Sequence, residues 1–61
     1  MCLSKVYEVK DGNENLICEY TSAISLDNGI IKLTDIMGEE FTVKGTLQSI
    51  DLANNIIKIA I

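Results

Sequence analysis

Apolar and polar positions alternate along most of the chain, and small polar turns cut the alternation into short runs. A period of two is the signature of a strand with one face buried. On that basis the first strand runs from Leu3 to Lys10 and a second from Glu14 to about Tyr20. The Asp11-Gly12 dipeptide between them supplies the tight turn of a hairpin. Thr21-Ser22-Ala23 is short and polar and predicts a bend before Ile24-Ser25-Leu26. Asp27-Asn28-Gly29 turns the chain into a strand from Ile30 to Thr34, and Asp35 to Gly38 turns it again.

From Glu39 to Lys44 the alternation is clean, with Phe41 and Val43 on one face and Thr42 and Lys44 on the other. Gly45 predicts a kink or bulge where a strand bends round a small barrel. Thr46 to Leu52 continues, Ala53-Asn54-Asn55 turns, and Ile56 to Ile61 places Ile57, Ile59 and Ile61 on one face opposite Lys58. Near-helical spacing occurs only at Leu16, Ile17, Tyr20 and Ile24. That stretch contains Thr21 and Ser22 and has no cap, so it predicts a short helical turn at most. The fold expected is all-β, a small SH3-like or Sm-like barrel of about six to seven short strands forming one domain over residues 1–61. Closure of the barrel would remove the edge strands of so small a sheet.

Composition sharpens this picture. The chain has 61 residues, of which 48% are hydrophobic and 23% charged, a balance that folds despite a net charge of −4. So short a chain buries only about 60% of the surface its unfolded form exposes, and dimerisation is a natural remedy for a marginal core. The five basic residues are all lysines, Lys5, Lys10, Lys32, Lys44 and Lys58, scattered without a basic run. Nucleic acid is therefore not an expected partner. No apolar stretch approaches the length of a membrane span and the start lacks a signal-like pattern, so the expectation is a cytoplasmic protein with no membrane partner.

Candidate chemistry is sparse. With no histidine, neither a Ser-His-Asp arrangement nor a Cys-His nucleophile can be assembled, and catalysis is not expected. The glycines stand singly and form no phosphate-cradling loop. Asp35, Glu39 and Glu40 gather at a turn but lack the spacing of a calcium loop, which reads as a solvated turn. Tyr7, Tyr20 and Phe41 have no interleaved arginines, so core or dimer packing is expected of them rather than base stacking.

The two cysteines differ in kind. Cys18 sits in an alternating stretch and behaves as a small buried hydrophobe. The hairpin about Asp11-Gly12 sets it opposite a residue near Lys5 to Tyr7, roughly 10–17 Å along the strand from Cys2 at about 3.3 Å per residue. That separation forbids an intrachain disulfide and disfavours a shared metal within one chain. Cys2 lies one residue from the α-amine. Its sulfur, its backbone nitrogen and the amine of Met1 form two fused five-membered chelate rings, a donor set suited to square-planar Ni(II) or Cu(II). The competing reading is a terminal residue packed at the start of a strand.

The run Met1-Cys2-Leu3-Ser4-Lys5-Val6-Tyr7, followed by Lys10-Asp11-Gly12, Leu33-Thr34-Asp35-Ile36, Gly38-Glu39 and Ile50-Asp51-Leu52, resembles the CooT family of small nickel-binding proteins over essentially the whole chain. The resemblance implies a homodimer of SH3-like β domains, Ni(II) held through Cys2, and a part in nickel delivery to carbon monoxide dehydrogenase. Cys2 would then give thiolate and amide, and Met1 its amine; if Met1 is removed, Cys2 supplies amine and thiolate itself. A fourth donor comes from elsewhere, and a C2 dimer with its axis near the N-termini would provide it as a second Cys2 on one shared metal. Two other readings stand beside this one: an RNA- or protein-binding barrel module in which Cys2 is incidental, and a purely structural dimeric domain.

Overall fold

The structure is a computed structural model and describes residues 3–61. Six strands follow one another: β1 (Ser4–Lys10), β2 (Asn13–Asp27), β3 (Ile30–Asp35), β4 (Glu40–Lys44), β5 (Thr46–Asp51) and β6 (Ile56–Ala60). They form one sheet in the order β4-β3-β2-β1-β6-β5. All pairings are antiparallel except β1 with β6, which join the two ends of the chain in parallel, Val6 beside Ile57 and Glu8 beside Ile59. The fold is thus all-β and barrel-like with six strands, as the alternation predicts, and no described residue is helical.

Two hairpins rest on turns whose chemistry is visible in the sequence. Asp11 (φ 52°) and Gly12 (φ 80°) make one, Asn28 (φ 49°) and Gly29 (φ 79°) the other. Positive φ at both central positions twists the turn in the sense of the flanking strands, which is why Asx-Gly pairs occur there.

β2 departs from expectation. The bend expected at Thr21-Ser22-Ala23 is instead the middle of a single 15-residue strand. Its first half pairs with β1, from Lys10 opposite Asn13 to Ser4 opposite Thr21, and its second half pairs with β3, from Thr21 opposite Asp35 to Asp27 opposite Ile30. Register shifts occur on both sides of Thr21. Bulges of this kind turn a strand without ending it, so β2 changes partners where the polar residues stand.

The barrel is not closed. β4 and β5 are consecutive in the chain but form opposite edges of the sheet, so the expected loss of edge strands does not occur. Gly45 links them, and a Cβ there would lie 2.5 Å from the Ala60 carbonyl oxygen. Its N–H donates to the Gly29 carbonyl at 3.1 Å. The kink read from Gly45 is therefore a close backbone approach that brings the two edges toward each other.

The buried core comprises Val6, Cys18, Ile31, Leu33, Ile57 and Ile59, with Ile17, Ile24, Val43 and Leu47 packed against it. One strand-face expectation fails at its last member. Ile57 and Ile59 point into the core, but β6 stops at Ala60 and Ile61 is half exposed. Phe41 is also outside the core, because β4 is an edge strand and only Val43 of that face is half-buried.

Candidate metal site at the start of β1

The candidate ligands Met1 and Cys2 lie outside the described residues. What the structure fixes is the ground on which they stand. Ser4 opens β1 opposite Thr21, and the Lys5 N–H donates to the Asn55 carbonyl at 2.9 Å. The stem of the N-terminal segment is thus held on one side by β2 and on the other by the turn that leads into β6.

Beside this stem is a small pocket of about 150 Å³ lined by Ser4, Thr21, Ser22, Ala23, Ile24 and Ile57. Three of the six are hydroxyl residues. Ser22 is committed to the backbone, its Oγ donating to the Thr34 carbonyl at 3.1 Å or the Asp35 carbonyl at 3.3 Å. Thr21 is different. It is 4% exposed, and its Oγ1 has no hydrogen-bond partner. A buried hydroxyl left unpaired costs on the order of 1–3 kcal/mol. From sequence alone Thr21 has no role beyond a polar bend, because nothing in the alternation shows that it faces inward.

The remaining candidates separate as expected in part. Cys18 is a free, buried thiol opposite Val6, within the span expected from the hairpin, and it belongs to the core. Val6 is two residues into β1 from Ser4, about 7 Å along the strand at about 3.3 Å per residue, and the candidate ligands before it lie outside the described residues. Asp35 ends β3 and ties down the turn that follows: its Oδ1 accepts from the N–H groups of Met37 and Glu39, both at 2.9 Å. Among the described residues no three His, Cys, Asp or Glu side chains are grouped to hold a metal.

Of the core or dimer packing expected of the aromatic residues, the core half does not hold. Tyr20 is 55% exposed and Phe41 38%, with Tyr7 half-buried in mid-β1. A larger cleft of about 450 Å³ lies at the far corner, between the Asn28-Gly29 turn and the start of β5, lined in part by Leu26, Ile30 and Leu47. No described helix is long and apolar enough to cross a membrane.

Residues 1–60 match the family described as CO dehydrogenase accessory protein CooT. Among solved structures the chain is similar to one described as "putative CooT from Carboxydothermus hydrogenoformans", with a TM-score of 0.87 and 19% sequence identity over 97% of this chain and 95% of that one. At that identity the likeness is one of fold. No curated protein matches the sequence.

Proposed function

The chain belongs to the CooT family of CO dehydrogenase accessory proteins, and from that membership we propose that it binds Ni(II) through Met1 and Cys2 and carries it to carbon monoxide dehydrogenase or a related nickel enzyme during maturation. Its role is accessory and not catalytic. The observation that carries the metal reading is the family match reaching back to residue 1, over a start that places a thiol next to an α-amine. The donor chemistry fits: thiolate, amide nitrogen and amine are strong-field ligands for square-planar Ni(II). Among the described residues no rival cluster competes for the ion.

Nickel is cargo here, so the site must both take and release it. A three-donor chelate on a chain terminus leaves one position for a fourth ligand. In the homodimer we propose, that ligand is the second copy's Cys2, so that one ion is shared between two chains. Exchange of this ligand for one on the recipient enzyme would release the metal.

The deciding experiment is nickel titration into wild type and Cys2→Ser, followed by absorbance and native mass spectrometry. We expect one nickel per dimer for wild type and loss of binding for Cys2→Ser. Equal binding by both would remove the metallochaperone reading and leave an RNA- or protein-binding module as the alternative.

A further inference from the structure

We propose that β4 is a contact surface for a second copy of this chain, the two β4 strands pairing antiparallel, edge to edge, about a two-fold axis at Thr42. The contact needs no metal and does not rest on the nickel reading above. β4 is one edge of the sheet, and among the described residues no strand lies on its outer side. Its sequence is Glu40-Phe41-Thr42-Val43-Lys44. Reversed against itself about Thr42, that sequence sets Glu40 opposite the partner's Lys44 and Phe41 opposite the partner's Val43.

Backbone geometry makes the pairing available. The Asp35 N–H donates to the Glu39 carbonyl at 2.9 Å, and the Gly45 N–H to the Gly29 carbonyl at 3.1 Å. Both pairs continue the register in which Leu33 faces Phe41 and Ile31 faces Val43. Hydrogen-bonded positions alternate along each strand of an antiparallel pair. Phe41 and Val43 therefore bond to β3, while the N–H and C=O groups of Glu40, Thr42 and Lys44 point to the free edge. Those are the groups that the two-fold pairing joins.

Side chains decide whether an edge repels copies of itself or accepts them. Charges on an edge strand ordinarily keep sheets apart. Here the two charges are opposite in sign and equally spaced from Thr42, so self-pairing sets acid against base at both ends, and opposite charges facing across strands are favourable. Glu40 is otherwise held only by Lys32 at 3.6 Å, with both side chains well exposed, which leaves it open to a second cation. Phe41, 38% exposed on the edge, would be covered by the partner's Val43. The opposite edge lacks these properties: β5 carries an acid and no base, and its pairing with β6 is irregular between Leu47 and Ser49. Two strands, β3 and β2, separate β4 from β1, so the contact does not use the start of β1.

Sedimentation equilibrium of the chelator-treated protein is expected to show a concentration-dependent dimer. Glu40→Lys and Lys44→Glu each set like charges opposite one another in the homodimer. Each should weaken self-association about 10-fold, the size expected when two attractive cross-strand pairs become repulsive. An equimolar mixture of the Glu40→Lys and Lys44→Glu chains should associate again, because every pair in the mixed dimer is once more acid against base. In wild type, exchange of the Thr42 amide hydrogen should slow as protein concentration rises, a measurement that requires no variant to fold. A metal-free monomer at every concentration, a dimer indifferent to both substitutions, or a mixture no tighter than its components overturns the proposal, as does Thr42 exchange independent of concentration. A β4 dimer in protein that takes up no nickel leaves this inference standing and removes the functional reading, whereas nickel uptake by a protein that is monomeric without metal does the reverse.

Discussion

Gly45 shows how much one missing carbon can decide. With 2.5 Å between the position of a Cβ and the Ala60 carbonyl oxygen, and 3.0 Å to the Ile59 side chain, the obstacle includes backbone that cannot rotate aside. Gly45→Ala is expected to cost about 1–3 kcal/mol in urea unfolding, in the range of overpacked interiors. Asp51 offers a milder case. The Asn54 side chain donates to its Oδ2 at 2.9 Å and the Asn54 N–H to its Oδ1 at 3.1 Å. The side-chain bond first, and the backbone bond after it, hold the Asp51 carboxyl below its ordinary value. A folded-state pKa below the unfolded one gives stability that is present above the unfolded pKa and lost as pH falls through the folded pKa. In Asn54→Ala the Asp51 pKa should rise toward the ordinary carboxylate range, as read by NMR titration, and this part of the acid loss should shrink. The Gly45 kink was legible as a lone glycine inside a strand pattern; the Ala60 oxygen that requires it lies fifteen residues away and was not.

At the scale of elements, hairpins were the most readable features. Asp11-Gly12 and Asn28-Gly29 carry their geometry in their own side chains, and both turn where their sequence says. β2 was read as two strands because Thr21, Ser22 and Ala23 break the apolar alternation. Their polarity is real, yet it serves pairing: Ser22 donates to carbonyls at the end of β3, and Thr21 is the common register partner of Ser4 and Asp35. A partner exchange in mid-strand depends on what lies to either side, and local pattern does not contain it. Leu33 depends on the same arrangement. It is fully buried on β3, opposite Ile24 of the second half of β2. Leu33→Ala should lose about 2–5 kcal/mol, enough in a domain this small for chemical denaturation to show a large part of the molecules unfolded.

For the molecule as a whole, the candidate ligands were legible in the sequence and the ground they stand on was not. A thiol at position 2 is plain in the sequence, because its neighbouring donors are covalently attached. The pocket beside Ser4 needs Ser4, Thr21 and Ile57 brought together from three strands, which only the sheet order reveals. Proton competition gives a test at this scale. A thiol and an α-amine have ordinary pKa values of about 8.5 and 7.7–8.0, so nickel held by the proposed ligand set would displace protons near neutral pH and bind more weakly as pH falls. Affinity by isothermal titration at pH 6 should therefore lie clearly below that at pH 8, and equal values would rule out this ligand set. Cys18 supplies a control. In Cys2→Ser its buried thiol should react with Ellman's reagent slowly in the native state and promptly in urea.

The parallel pairing of β1 with β6 also sets an order of events in the life of the chain. β1 is synthesised first, yet the strand that flanks it on one side is residues 56–60, and Lys5 is fixed to Asn55. Contacts between such distant parts of a sequence form late and make folding slow. Until β6 has left the ribosome, the start of β1 has only half of its supports, and Ile57 is not there to wall the pocket beside Ser4. The parallel seam at the start of β1 is therefore complete only when translation ends.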